Sequence, residues 1–233
     1  MNMDSEETPV LREAESHHLQ ITKTARYWTL GDATRAEEVW FVLHGYKQLA
    51  RRFLRRFETI DDGRRLIVAP EALSRFYIGQ EAGRHGPTSA VGATWMTRED
   101  RHAEIEDYIG YLDRLAERVS GATGKQLPTT VLGFSQGVAT ATRWVTMGSI
   151  LPERLILWGD VTPPDLALER AAEALSGIDL VLVRGDQDAA LSPRLVEDDR
   201  ERLHGAGINV RTVNYPGGHD IDEATLASLV RGG

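Results

Sequence analysis

The hydrophobic positions along the chain fall into two patterns, short continuous runs and longer stretches with helical spacing. The short runs are rich in β-branched and aromatic residues, which is typical of strands buried on both faces of a parallel sheet. Such runs occupy residues 39–43, 65–69, 129–134, 154–158, 179–184 and 209–215. An earlier segment, residues 19–30, alternates between apolar and polar residues and predicts an edge strand with one polar face.

Stretches with helical spacing separate these runs. They cover residues 49–59, 97–119, 136–148, 164–175, 193–205 and 220–231. In the clearest of them, 97–119, apolar residues recur along one face. Thr97 is expected to cap its N-terminus, with Asp100 as the acid of a capping box. Strands that alternate with helices predict an α/β fold, with a mostly parallel central sheet and helices on both faces.

Residues 73–97 interrupt this alternation. The segment is rich in glycine, carries several aromatic side chains and has no sustained period. We expect a long excursion above the sheet, and long loops of compact domains tend to carry function.

Length and composition limit the class of protein. The 233 residues, 41% of them hydrophobic, suit one domain over residues 17–233, preceded by a charged, mobile leader over residues 1–16. A net charge of -8 opposes binding to nucleic acid and to anionic membranes. Because the chain has no cysteine, disulfides, thiolate catalysis and cysteine-ligated metals are excluded.

The sequence also bears on location and assembly. No run of about 18 apolar residues occurs, so stable membrane insertion is not expected. The N-terminus lacks the apolar segment of a signal peptide, which predicts a cytoplasmic protein. Pairing into a homodimer stays open.

One motif carries candidate chemistry, Gly133-Phe134-Ser135-Gln136-Gly137, which has the form GxSxG. It follows a predicted strand and precedes a predicted helix, so Ser135 falls on a strand-to-helix turn at the carboxyl end of the sheet. Open α/β sheets bind ligands at that end. We therefore predict that Ser135 is a nucleophile, with an ordinary turn serine as the alternative.

A serine nucleophile needs a base, and the base needs an orienting acid. Only His204 and His219 follow Ser135 in the chain. His204 lies in a predicted helix and suits a solvent-facing role, whereas His219 lies in a glycine-rich loop after the last strand and is the better base. Asp186 and Asp188 both follow the penultimate strand and compete as the acid.

Four segments together resemble the phospholipase/carboxylesterase family of α/β-hydrolases, which includes small bacterial carboxylesterases and acyl-protein thioesterases. FVLHGY resembles the family's strand and HG loop, and LGFSQG resembles its nucleophile elbow. RGDQD and PGGH resemble its acid and histidine loops. The resemblance covers roughly residues 38–231. It implies an α/β-hydrolase fold with no large cap domain, and it favours Asp188 over Asp186.

The resemblance also implies further site residues. The backbone N–H groups of Gln136 and of Tyr46, in the HG loop, are the candidate oxyanion donors. His44 is expected to fix that loop rather than act as a second base. A substrate pocket is expected from Trp95, Met96, Tyr77 and Trp158, for which packing in the core is an equal alternative.

The hypothesis is therefore a serine hydrolase that cleaves small-molecule carboxylic esters of short to medium acyl chains through an acyl-enzyme. The resemblance implies no cofactor and no metal. A thioesterase, a peptidase or a perhydrolase on the same scaffold is the nearer alternative. A non-catalytic acyl- or protein-binding module is the further one, and the complete Ser135, Asp188 and His219 set argues against it.

Overall fold

The computed structural model describes residues 15–79 and 85–231, and within them the framework is a seven-stranded sheet. The strands are β1 (Tyr27–Leu30), β2 (Glu38–Leu43), β3 (Arg65–Pro70), β4 (Ser74–Tyr77), β5 (Val91–Thr94), β6 (Thr129–Phe134), β7 (Arg154–Trp158), β8 (Asp179–Gly185) and β9 (Arg211–Tyr215). The large sheet has the order β1-β3-β2-β6-β7-β8-β9. Its neighbours are parallel except for β1, which runs antiparallel to β3. The predicted mostly parallel sheet is confirmed.

Helices cover both faces of this sheet, also as predicted. They are α1 (Ala50–Leu54), α2 (Arg101–Thr123), α3 (Gln136–Met147), α4 (Leu168–Ala174), α5 (Pro193–Gly205) and α6 (Glu223–Arg231), and a 3-10 helix (Arg55–Ile60) continues α1. One hydrophobic core joins α1, the 3-10 helix and α6 to the sheet. A second core joins α2, α3, α4 and α5 to the opposite face.

Neighbouring residues of each interior strand supply the two cores in turn. In β2, Trp40 and Val42 pack with α1 and α6, whereas Phe41 and Leu43 pack with α2 and α3. All four side chains are buried. Because successive side chains of a strand point to opposite faces, a strand covered on both faces must be apolar throughout.

The order of the strands reverses beside β2. The chain leaves β3 on one side of β2 and returns as β6 on the other side. Such a reversal opens a crevice at the carboxyl ends of the two strands. Leu43 is paired in register with Gly133, so the loop after β2 lies beside the loop after β6.

The predicted edge strand over residues 19–30 is too long. Only β1 is a strand, and it pairs with β3 from Tyr27 opposite Pro70 to Leu30 opposite Ile67. Since β3 ends at Pro70, the residues before Tyr27 have no strand partner. Leu19 is 86% exposed, so this segment has no apolar face against the core.

The predicted start of α2 is also wrong. The helix begins at Arg101, and the residue before it, Asp100, has a left-handed backbone with φ 47° and makes no capping hydrogen bond through its side chain. Asp100 instead pairs with His18 at 2.9 Å. Thr97 lies outside the helix, and its backbone N–H donates to the carboxylate of Glu104 at 2.5 Å.

The excursion predicted over residues 73–97 contains regular structure that its irregular pattern did not indicate. Strands β4 and β5 form a separate two-stranded antiparallel sheet. We term residues 74–94 the β4–β5 hairpin. Residues 80–84 of this segment lie outside the described residues.

Residues 1–14 of the predicted leader also lie outside the described residues. Within the part of the chain that is described, no helix combines the length and the apolar character needed to cross a membrane.

Candidate active site

Ser135 lies between the last residue of β6 and the first residue of α3. Its backbone has φ 53° and ψ -122°, a conformation that costs a residue with a side chain about 1–3 kcal/mol. The carbonyl of Trp158 on β7 accepts its N–H at 2.9 Å, and its own carbonyl accepts the N–H of Val138 at 2.7 Å. These bonds hold a strained turn in which Ser135 remains partly exposed.

The glycines on either side of Ser135 are required by close contacts. A Cβ on Gly133 would lie 2.3 Å from the carbonyl oxygen of Gly137. One on Gly137 would lie 2.3 Å from the carbonyl oxygen of Leu43. The start of α3 can therefore lie this close to β6 and β2 only because both positions lack a side chain.

His219 and Asp188 are paired at the same edge of the sheet. Nδ1 of His219 lies 2.7 Å from Oδ2 of Asp188, whose side chain is 1% exposed. The other carboxylate oxygen accepts the N–H of Ala190 at 2.9 Å. With Nδ1 donating to Asp188, Nε2 is the ring nitrogen that can accept a proton.

The ring of His219 lies close to the serine turn. It is 5.0 Å from the ring of Phe134, the residue before Ser135. A Cβ on Gly159, directly after β7, would lie 3.3 Å from Cε1 of His219. Since Trp158 accepts the N–H of Ser135, the serine turn and the histidine ring both lie at the ends of β6 and β7.

Tyr215, the last residue of β9, holds the loop that carries His219. The hydroxyl of Tyr215 donates to the carbonyl of Gly218 at 2.7 Å. The absence of a side chain at Gly185 lets the loop approach β8, because a Cβ there would lie 2.1 Å from the carbonyl oxygen of Gly217. The histidine loop is thus held before any ligand binds.

The competing acid and base lie elsewhere. Asp186 is exposed, and its backbone N–H donates to the carbonyl of Tyr215 at 2.9 Å. His204 is exposed on α5 and borders a surface cleft with Arg200. The carboxylate in contact with His219 is that of Asp188.

The loop after β2 lies directly beside Ser135. A Cβ on Gly45 would lie 3.1 Å from the Cβ of Ser135. Tyr46 follows, and then Lys47 adopts a left-handed backbone with φ 66°. Among the described residues, the N–H groups of Tyr46 and Gln136 donate to no backbone carbonyl. Both groups therefore remain available to a ligand oxygen.

His44 is buried and serves the loop, in line with the structural role expected of it. Its Nδ1 donates to the carbonyl of Gly45 at 2.8 Å, and its Nε2 accepts the N–H of Ala72 at 3.1 Å. Burial lowers the pKa of His44 to about 4, so the ring is neutral near pH 7. With both nitrogens occupied, His44 has no site for a substrate proton.

The side chain of Gln136 has a function that the sequence did not indicate. Its Oε1 accepts the backbone N–H of Trp95 at 3.1 Å, and its Nε2 donates to the carbonyl of Met96 at 2.9 Å. Its Nε2 also lies 2.9 Å from Oγ1 of Thr94. The residue after Ser135 therefore fastens the end of the β4–β5 hairpin to the serine turn.

The four candidate pocket residues lie in different environments. Trp158 is 0% exposed and Trp95 is 2% exposed, and both belong to the hydrophobic cores. Met96 is partly exposed and lies 3.6 Å from the guanidinium of Arg143. Tyr77 is 48% exposed and stacks on His85 at 4.0 Å. The two tryptophans therefore pack in the cores beneath the site and do not line it.

Two features near the serine were missed by sequence reasoning. The ring of Tyr46 stacks on that of Phe76 from β4 at 5.3 Å, which forms a half-exposed aromatic surface beside the loop after β2. Asp160 follows Gly159 at the end of β7 and interacts electrostatically with both His219 and Asp188. A Gly-Asp pair that ends a strand is the signal that could have identified it.

Among residues 15–79 and 85–231, no group of three or more His, Asp and Glu side chains has the arrangement of a metal centre. Asp160, Asp188 and His219 together do not form one.

No family model matches the chain, and no curated protein matches its sequence. Solved structures do match. A carboxylesterase from Mesorhizobium loti is 21% identical, with a TM-score of 0.68, over 90% of this chain and 95% of its own. The esterase PE8 is 21% identical, with a TM-score of 0.66, over 90% of this chain and 99% of its own. Acyl-protein thioesterase 2 from Zea mays is 16% identical, with a TM-score of 0.66, over 89% of this chain and 97% of its own.

These likenesses, the sheet order and the strand-to-helix turn at Ser135 define the α/β-hydrolase fold, as the sequence predicted. Within the described residues, the carboxyl edge of the sheet carries the β4–β5 hairpin and loops but no large cap domain. At 21% identity and below, the likeness extends to the fold alone.

Proposed function

We propose that this protein is a serine esterase that cleaves carboxylic esters of short to medium acyl chains. The observation that carries the proposal is a strained serine turn, with φ 53° at Ser135, beside a preformed pair of His219 and Asp188 at 2.7 Å. A strained backbone that surrounding contacts maintain is typical of a functional site. The fold of the three solved esterases and thioesterases named above supports the same class of chemistry.

In the proposed reaction, Nε2 of His219 takes the proton of the Ser135 hydroxyl as the oxygen attacks the ester carbonyl. The Asp188 carboxylate stabilises the imidazolium that forms. His219 then gives its proton to the departing alcohol, which leaves an acyl group on Ser135. Water repeats the sequence, and the free acid is released.

The carbonyl oxygen becomes negatively charged in each tetrahedral intermediate. In this proposal the backbone N–H groups of Gln136 and Tyr46 bind it. Gln136 is also the first residue of α3, so the positive end of the helix dipole favours the same charge. One such donor contributes on the order of 10²–10³-fold to the rate.

A thioesterase is the second candidate, because Zea mays acyl-protein thioesterase 2 shares the fold over most of both chains. Thioesters and esters pass through the same acyl-enzyme, so the same residues would serve. A cytoplasmic location and a homodimer remain predictions from the sequence.

The proposal is tested by hydrolysis of p-nitrophenyl esters from acetate to palmitate. We expect kcat/KM to peak at a short to medium chain and to fall about 10⁴-fold or more in Ser135→Ala. Ser176→Ala is the matched control, because Ser176 is exposed in the turn that precedes β8, at the opposite edge of the sheet. A fluorophosphonate should label the wild type and the control but not Ser135→Ala.

Thioesters of the same acyl groups separate the two candidates. The released thiol is read with a thiol-reactive chromogen, and the chain itself adds no background because it has no cysteine. A higher kcat/KM for thioesters than for esters would favour the thioesterase over the esterase. No turnover of either class, with Ser135 unlabelled, would contradict both and favour a binding module.

A further inference from the structure

Asp160 is a carboxylate at the active edge that the proposed reaction does not use. Strands β7 and β8 are parallel neighbours, with Trp158 opposite Val183. Each strand ends in a glycine followed by an aspartate, Gly159-Asp160 after β7 and Gly185-Asp186 at the end of β8. Neighbouring strands thus deliver carboxylates to the same edge of the sheet as the histidine loop, which follows β9 beside β8.

The backbone beside Asp160 lies against the catalytic ring. A Cβ on Gly159 would be 3.3 Å from Cε1 and 3.4 Å from Nδ1 of His219. The N–H of Gly159 donates to the carbonyl of Val183 at 2.8 Å, which fixes this part of the chain. One oxygen of Asp160 accepts the N–H of Val161 at 2.8 Å.

The other charged groups nearby have partners of their own. Asp188 pairs with His219, Asp220 pairs with Arg56 at 3.0 Å, and Asp199 pairs with Arg202 at 2.7 Å. Tyr215, at the base of the loop, is neutral because burial raises its pKa. Among the described residues, no lysine or arginine pairs with Asp160.

We propose that Asp160 is a second carboxylate for His219, a positioning residue that stabilises the imidazolium together with Asp188. The inference rests on the proposed function. A partly buried carboxylate without a cation is unfavourable, and the positive charge of His219 that acts on Asp160 arises only when His219 takes the proton of Ser135. Asp160 accepts no proton in this step. It remains ionised and lowers the energy of the charged ring through space.

The electrostatics of Asp160 agree with this role. Burial is the largest cause that raises its pKa, and the charges of Asp188 and Asp199 act in the same direction. The positive charge of His219 opposes them. The interaction is reciprocal, so the Asp160 carboxylate favours the protonated ring to the same extent.

The test compares Asp160→Asn, Asp188→Asn and the double variant on the best p-nitrophenyl ester between pH 5 and 9. In Asp160→Asn we expect kcat to fall about 3-fold, the factor that corresponds to half a pH unit, with KM changed less than about 2-fold. The acidic limb of the kcat/KM profile should move to lower pH by about half a unit, because the ring loses a favourable negative charge. Asp198→Asn, an exposed change of the same charge on α5, should leave the profile in place.

The double variant measures whether Asp160 and Asp188 each stabilise the protonated His219 ring. Because both carboxylates act on the same ring through space, the two single effects should multiply in the double variant. No further loss from Asp160→Asn in the Asp188→Asn background would show that Asp160 acts only through Asp188 and would overturn the inference.

A second readout does not depend on turnover. The His219 ring is titrated by NMR in the Ser135→Ala background, with and without Asp160→Asn, and the midpoint should fall by about half a pH unit. A midpoint that stays within about 0.1 unit would overturn the inference even if the esterase proposal holds. An inactive, unlabelled wild type would instead defeat the esterase proposal, and the NMR midpoint would still decide the role of Asp160. If Asp160→Asn does not fold, Asp160→Ser retains an acceptor for Val161 and replaces it.

Discussion

Two histidines at the carboxyl edge of the sheet differ in chemistry because their surroundings differ. His44 is fully buried, and both of its ring nitrogens are occupied by backbone groups. The side chain of His219 is 34% exposed, and its Nδ1 pairs with the carboxylate of Asp188. A ring that can exchange protons with a ligand must keep one nitrogen accessible, which only His219 does.

The buried state of His44 makes stability depend on pH. Its pKa is about 4 in the folded protein against 6.5 for a free histidine. A depressed pKa means that the stability contribution is complete above pH 6.5 and is lost as the pH falls towards 4, by about 3 kcal/mol in total. Urea unfolding at pH 7.5, 5.5 and 4.5 measures this loss.

The variant His44→Gln should flatten that pH dependence, whatever its effect on absolute stability. His204→Gln is the control, because His204 is exposed and the slope should stay as in the wild type. If the free energy of unfolding of His44→Gln depends on pH as steeply as that of the wild type, groups other than His44 cause the loss of stability.

At the scale of elements, the β4–β5 hairpin is joined to the loop after β2 and to the first residue of α3. The N–H of Lys47 donates to the carbonyl of Ala93 at 3.0 Å, and the N–H of Ala93 donates to the carbonyl of Gln48 at 3.2 Å. The side chain of Gln136 holds Trp95, directly after β5. The hairpin thus positions both candidate oxyanion donors at once.

Gly92 on β5 is where this attachment is most sensitive. A Cβ at that position would lie 2.6 Å from the carbonyl oxygen of Lys47. Gly92→Ala should displace the loop that carries Tyr46 and lower kcat about 10- to 100-fold, with a smaller change in KM. Steady-state kinetics on the best ester provide the measurement.

Gly110 is the matched control in the middle of α2. A Cβ there meets nothing within 4 Å, so Gly110→Ala should retain activity and add about 0.5–1 kcal/mol of stability. Equal losses of activity in both variants would contradict a specific role for the hairpin.

At the scale of the whole molecule, features that oppose stability collect at the carboxyl edge of the sheet. The strained Ser135 and the partly buried Asp160 both lie there. The opposite edge carries paired charges, such as Arg154 with Asp179 at 2.8 Å. Sites that bind and react often retain such costs for the sake of function.

Asp160→Asn should therefore raise the melting temperature while it lowers activity. Burial raises the pKa of Asp160, so its contribution to stability is complete below pH 3.8 and is lost as the pH rises through its folded pKa. The gain from the neutral asparagine should reach about 2 °C near pH 7.5 and shrink as the pH is lowered towards 4. Calorimetry across this range tests it, and a gain independent of pH would point to packing rather than charge.

The sequence by itself determined the class of fold and most of its elements, because hydrophobic periodicity is a local property of the chain. The apolar run of β6 followed by GxSxG was enough to predict the turn at Ser135. Chain order left His204 and His219 as candidate bases, and the glycine-rich loop favoured His219, while the choice between Asp186 and Asp188 needed a family resemblance.

Only the tertiary structure decided which residues meet. The length of β1 depends on where its partner β3 ends, and the burial of Trp158 depends on helices distant in sequence. Asp188 reaches His219 because β8 and β9 are neighbours in space. Periodicity reports the environment of each segment, whereas contacts between loops depend on strand order and register, which no local pattern encodes.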